Sequence, residues 1–205
     1  MMEVTLGSAL AYTIGFSVLY YLGLSLYVRR LVRVEPRKLA LYVAVFCVFG
    51  VSGEILVNNV WKIVFDEQLW QYQLFPAHSG DISYFFFFIW GGLGYYRYLN
   101  DVAIHNFKSN EYLRPGLIMG AEAVVLELAY NGLFYLIFGS YVFYYLPANL
   151  GPLSHLSCFE VIPFYFLVGV FTSRLLAIER VSSRYDFLAL LAFYAMVTIT
   201  LVFFK

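Results

Sequence analysis

ALYVAVFCVFGVSGEILVNNVWK, residues 40–62, decides how this chain is read. The stretch is apolar over a length that crosses about 30 Å of hydrocarbon, for which roughly 20 residues suffice. It nevertheless carries Glu54 and Asn58 deep inside it. Glu54, Asn58 and Trp61 recur at i, i+4 and i+7, so one helix face presents a carboxyl, an amide and a large ring. Carboxylates at membrane depth are expensive and usually face an internal cavity or a partner. A membrane helix with one polar face turned inward is the expectation.

The frame occurs twice. Leu126-Glu127-Leu128-Ala129-Tyr130-Asn131-Gly132-Leu133-Phe134 repeats acid, amide and ring 73 residues later. Each copy runs on through an aromatic loop and a Pro-Ala pair, Pro76-Ala77 and Pro147-Ala148. Each then reaches a second acid, Asp81 or Glu160, that leads another apolar run. Units of about 40–99 and 115–174 therefore form a parallel internal repeat inside one integral-membrane domain, 1–205. Repeats of this kind commonly hold their site where the two halves meet.

Composition agrees. Of 205 residues, 62% are hydrophobic and 13% charged, with a mean hydropathy of +0.75; soluble domains carry about 25% charged residues. The predicted class is all-α, a polytopic membrane helical bundle of six transmembrane helices (seven at most). The spans fall near 8–28, 40–62, 81–99, 115–138, 156–174 and 186–204. Met1-Met2-Glu3-Val4 lacks the positive charge of a signal peptide, and Arg29, Arg30, Arg33, Arg37 and Lys38 after the first span mark a retained helix. Basic residues collect in cytoplasmic loops, and here they alternate: 29–38, 97–114 and 174–185 are basic, whereas 63–80 and 139–155 hold no Lys or Arg. Both termini are thus expected on the non-cytoplasmic side. The zero net charge gives no support to nucleic-acid binding. Cys47 and Cys158 read as small packing residues.

Helix rise of about 1.5 Å per residue puts Glu54 about 21 Å and Glu127 about 18 Å from the cytoplasmic ends of their spans. Asp81 and Glu160 come from the opposite side and fall in the same outer layer; Glu122 lies deeper. A carboxyl group removed from water favours its proton-carrying form. It then suits protonation of an alkene or epoxide, with later return of the proton, while aromatic faces attract the cation formed. The candidate catalytic residues are Glu54, Glu127, Asp81 and Glu160. Asn58 and Asn131 are expected to orient the acids, and Trp61 and Phe134 to line the substrate site. The bland alternatives are polar clamps for the two glutamates and a helix cap for Asp81. Trp70, Tyr72, Tyr141, Tyr144 and Tyr145 read as an interfacial aromatic belt. Lys62 is expected to snorkel to Asp66. His78 and His155 precede the second acids at unequal spacings, which favours surface histidines over a metal site.

With these residues in view, the layout resembles the small integral-membrane lycopene cyclases, built from duplicated helical units with an acid, a downstream tryptophan and a Phe-rich helix. Glu54 with Trp61, and Asp81 with Phe85-Phe86-Phe87, match one unit. Glu127 with Phe134, and Glu160 with Phe164-Tyr165-Phe166, match the other. Ser79-Gly80-Asp81 and Cys158-Phe159-Glu160 stand where that family has Pro-x-Glu-Glu. Size and acid placement are also similar to the membrane-bound meroterpenoid cyclases. Both resemblances imply acid-initiated cyclisation of an isoprenoid lipid within the bilayer, without metal, nucleotide or other cofactor. The rivals are a small proton-coupled transporter or lipid-binding protein, and a structural subunit whose acids pair with another chain. Oligomeric state is not indicated.

Overall fold

The computed structural model describes residues 4–105, 111, 113–147 and 150–179. Five helices dominate it: α1 (Leu6–Tyr27), α2 (Pro36–Phe65), α3 (Phe86–Asn100), α4 (Leu113–Phe138) and α5 (Ile162–Glu179). Their ends follow local chemistry. Thr5 caps α1 through a reciprocal box with Ser8. Pro36 opens α2, and Asp66 closes it in the left-handed conformation at φ 59°.

The chain is not purely helical. Short strands β1 (Trp70–Tyr72), β2 (Pro76–Ala77), β3 (Ile82–Ser83) and β4 (Phe143–Tyr145) form two small antiparallel pairs. β2 and β3 close a tight hairpin through His78, Ser79 and Gly80, all at positive φ. That hairpin takes up residues expected to begin the third span, so α3 starts at Phe86 and not at 81. Its 15 residues rise only about 22 Å before a π-helical turn over Asp101–His105.

Among the described residues, α1, α2 and α4 are long and apolar enough to cross a membrane, so the expected count of six spans is not supported. The stretch 186–204 lies outside the described residues. Large apolar side chains such as Leu19, Ile63, Leu117, Val125 and Leu136 are exposed on these three helices. Apolar surface on that scale suits lipid contact and not water.

α2 packs on α3 and α4 on α5, giving two hairpins, with α1 against α3 and α2 against α5. Both hairpins close over a glycine. A Cβ on Gly94 would lie 2.9 Å from Tyr42 O and Val43 Cα, and one on Gly169 would lie 2.7 Å from Pro115 O. Small residues at such crossings let the backbones approach.

Strands β1 and β4 join the hairpins at one end. The register pairs Trp70 with Tyr145, Gln71 with Tyr144 and Tyr72 with Phe143. Trp70 and Phe143, Gln71 and Tyr144, and Tyr72 and Tyr145 are each 73 residues apart. The pairing is therefore symmetric about its centre, as a local two-fold axis through Gln71 and Tyr144 requires.

Candidate functional site

The two asparagines fix the strands. Asn58 Oδ1 accepts from Leu69 N–H at 2.8 Å, while its amide donates to Trp70 O at 3.1 Å and Asp81 Oδ1 at 2.6 Å. Asn131 accepts from Val142 N–H at 2.9 Å and donates to Phe143 O at 2.7 Å and Leu156 O at 3.2 Å. Both side chains are fully buried, and both use the same bonding pattern on the loop that follows their helix. Asn131 thus pins backbone, and Asn58 pins backbone and Asp81; neither bonds to Glu54 or Glu127, the acids they were expected to orient, and neither lines the cavity those two acids share.

What the asparagines position are phenols. Tyr72 on β1 donates to Glu54 Oε1. Tyr145 on β4 donates to Glu127 Oε1 at 2.7 Å, joined by Tyr165 of α5. Ser157 supplies the other oxygen of Glu127 at 2.6 Å. Burial, and after it the neighbouring carboxyl, holds the Tyr72 and Tyr145 phenols well above their ordinary range. Both therefore stay protonated donors. The two acids end up differently furnished. Glu127 receives three hydroxyl donors; Glu54 receives one, and its Oε2 is buried without a hydrogen-bond partner among the described residues.

Both glutamates line one cavity, built from α1, α2, α3, α4, α5 and the strands β1 and β4. With its open mouth included it encloses about 860 Å³. Its walls are mostly aromatic. Trp90 lies edge-on to Phe164 at 5.9 Å and tilted against Tyr165 at 6.0 Å, while Tyr72 lies edge-on to Phe143 at 5.9 Å. From Trp90 the cavity follows α3 to Tyr96, roughly 9 Å of helix rise, where Tyr96 packs on Tyr20 at 4.7 Å. Beyond that end, Tyr20 donates to Asn100 Oδ1 at 2.5 Å, and His105 Nε2 lies 2.8 Å from Glu122 Oε1.

The other expected site residues lie elsewhere. Asp81 is buried outside the cavity lining and forms an ion pair with Lys62 at 2.8 Å, supported by Gln68 and Asn58. Lys62 thus turns to Asp81 and not to Asp66. Glu160 is half-buried beside Cys158 and outside the lining. It is also not the counterpart of Asp81. Asn58 bonds to Asp81 where Asn131 bonds to Leu156, and Gly94 matches Gly169, so this part of the frame runs at an offset of 75 residues and not 79. Trp61 packs tilted on Phe65 at 4.1 Å, and Phe134 packs against Tyr12 and Phe138; neither lines the cavity.

Trp70, Tyr72 and Tyr145 are buried cavity residues and not an interfacial belt. A signal for two of them was present in the spacing: Glu54 to Tyr72 and Glu127 to Tyr145 are both 18 residues. Trp90, Ser157 and Tyr165 carried no such mark. No family model, curated protein or solved structure matches the chain, so the chemistry of the site rests on its own geometry.

Proposed function

We propose that the chain is a multi-pass membrane cyclase that closes rings on an isoprenoid lipid by acid catalysis, with Glu54 as proton donor. The observation that carries the reading is that Glu54, with Oε2 unpartnered among the described residues, lines an aromatic cavity beside a glutamate already saturated by hydroxyls. The Glu54 carboxylic acid would protonate an alkene carbon or an epoxide oxygen. The alkene pair of the same chain then attacks the cationic carbon and forms the ring bond. A proton lost from a neighbouring carbon restores the acid, so the product is an isomer of the substrate. Trp90, Tyr72, Phe143 and Phe164 offer π faces to the cation, an interaction that strengthens in a desolvated site. Glu127 would hold Tyr145 and Tyr165 in place as a supporting group. The loops free of Lys and Arg carry β1 and β4, which supports an acid end turned to the non-cytoplasmic side and both termini on that side.

Proton-coupled transport is the second reading, favoured by the Glu122–His105 pair beyond the far end of the cavity. The test is incubation of the purified protein in lipid with a panel of polyprenyl and epoxy-prenyl substrates, product being read by mass spectrometry and chromatography. Cyclised product that is lost in Glu54→Gln and retained at a reduced rate in Glu127→Gln is expected. No product from any substrate, or unchanged product in Glu54→Gln, removes the assignment. Proton uptake by proteoliposomes in place of product would establish the second reading.

A further inference from the structure

Glu54 Oε2 has a neighbour in the same condition. The indole Nε1 of Trp90 is buried with no hydrogen-bond partner among the described residues. Glu54 is 5% and Trp90 2% exposed, and both line the cavity. Their closeness follows from α2 itself. A Cβ on Gly50 would lie 2.0 Å from Trp90 Cδ2, so the indole lies flat against α2 at Gly50. Glu54 is four residues on, directly above that position on the same helix face. The indole N–H is directed at the Glu54 carboxyl but does not reach full hydrogen-bond geometry to it. Phe164 and Tyr165 pack against the ring and hold it from turning to another acceptor.

One fixed donor and one carboxyl oxygen therefore lie side by side, buried in two residues that line the cavity, and buried polar groups are rarely left unsatisfied. We propose that Trp90 Nε1–H and Glu54 Oε2 form a two-point site for one neutral oxygen atom carried on an apolar chain. This deepens the proposed function and rests on its premise that the cavity takes an apolar chain. A hydroxyl satisfies both groups, accepting from Trp90 and donating to the carboxylate. An ether or epoxide oxygen does so as well, accepting from Trp90 and from the protonated acid. A hydrocarbon satisfies neither. Glu127 is not a second such site, because hydroxyl donors already occupy both of its oxygens. The ligand thus enters with its oxygen at the Glu54 end and its chain along the aromatic wall towards Tyr96.

The experiment compares farnesol with farnesene in binding to the protein in nanodiscs, followed by tryptophan emission. A buried hydrogen bond to such a pair corresponds to roughly tenfold in affinity, so farnesol is expected to bind about tenfold more tightly than farnesene. Trp90→Phe keeps the ring packing and removes only the donor. It should erase that preference, bringing the farnesol and farnesene affinities of the variant to within about twofold of each other, with Trp70 on the cavity wall as reporter. Farnesol should also shift one indole N–H resonance of the parent, and that resonance should be the one missing in Trp90→Phe. Equal affinities in the parent, no saturable farnesol binding, a preference that survives in Trp90→Phe, or a farnesol shift confined to Trp61 or Trp70 would each overturn the proposal. The parent comparison stands even if the variant does not fold. Preference without turnover would uphold this site and sink the cyclase reading; turnover of hydrocarbons without preference would do the reverse.

Discussion

Replacing Asn131 by alanine should cost about 3 kcal/mol of stability. The side chain is fully buried and makes three hydrogen bonds, to Val142 N–H, Phe143 O and Leu156 O. At a net contribution of about 0.5–1.5 kcal/mol each, their loss sums to about 3 kcal/mol. No solvent reaches the site to satisfy the Val142 N–H left behind. Asn59, in α2, supplies the control. It is exposed and donates only to Ile55 O in its own helix, at 2.7 Å, so Asn59→Ala should change stability by less than about 0.5 kcal/mol. Asn131→Asp keeps the acceptor for Val142 but turns a second oxygen towards two carbonyls, and should cost at least as much as alanine. The assay is unfolding in mixed micelles of increasing dodecyl sulfate content, followed by the emission of Trp70, which sits opposite Tyr145 in the strand pair. An Asn131→Ala variant no less stable than Asn59→Ala would show that the amide does not hold β4 in place.

Lys62→Met should destabilise by about 2–4 kcal/mol in the same assay, because the buried Asp81 loses the one cation paired with it among the described residues and keeps the Asn58 and Gln68 amides; a neutral outcome would refute a structural ion pair there. Glu127→Gln should cost about 1–3 kcal/mol, since an amide nitrogen cannot accept from the hydroxyls that converge on it, whereas Glu54→Gln should cost less than about 1 kcal/mol; the opposite order would contradict the assigned bonding. Gly94→Ala drives a methyl to within 2.9 Å of the α2 backbone and should cost about 1–3 kcal/mol. Gly92, two residues earlier, meets nothing within 4 Å and lines the cavity. Gly92→Leu should therefore leave the unfolding midpoint within about 1 kcal/mol while blocking ligand binding; unimpaired binding would mean that the cavity is not the binding site.

Much of the frame was legible in one dimension. Apolar run length identified α1, α2 and α4, because crossing hydrocarbon demands length and composition together, and both are local properties. The repeated acid and amide were legible for the same reason: a polar group inside such a run stands out against its neighbours. The 73-residue spacing of the two acids also relates the residues that pair in β1 and β4, although strands were not expected there.

The roles of those residues were decided only by tertiary structure. Asn58 lies on the same helix face as Glu54, yet its hydrogen bonds go to a loop about three turns later in sequence, since an amide satisfies backbone wherever the chain returns to it. Asp81 looked like a partner for the glutamates, but Lys62 approaches it at 2.8 Å and neutralises it. Trp90, Tyr165 and Ser157 reach the acids from other helices and loops; Tyr165 stood inside the Phe164-Tyr165-Phe166 run, but nothing there tied it to Glu127, and Trp90 and Ser157 were not marked at all. The difference between Glu54 and Glu127 is likewise invisible in the motif they share. It arises because α5 delivers a phenol and its leading loop a hydroxyl to Glu127, whereas α3 delivers an indole to Glu54 that stops short of a bond. Sequence determined that two carboxyls would be carried into the bundle; packing decided which of them keeps an oxygen free.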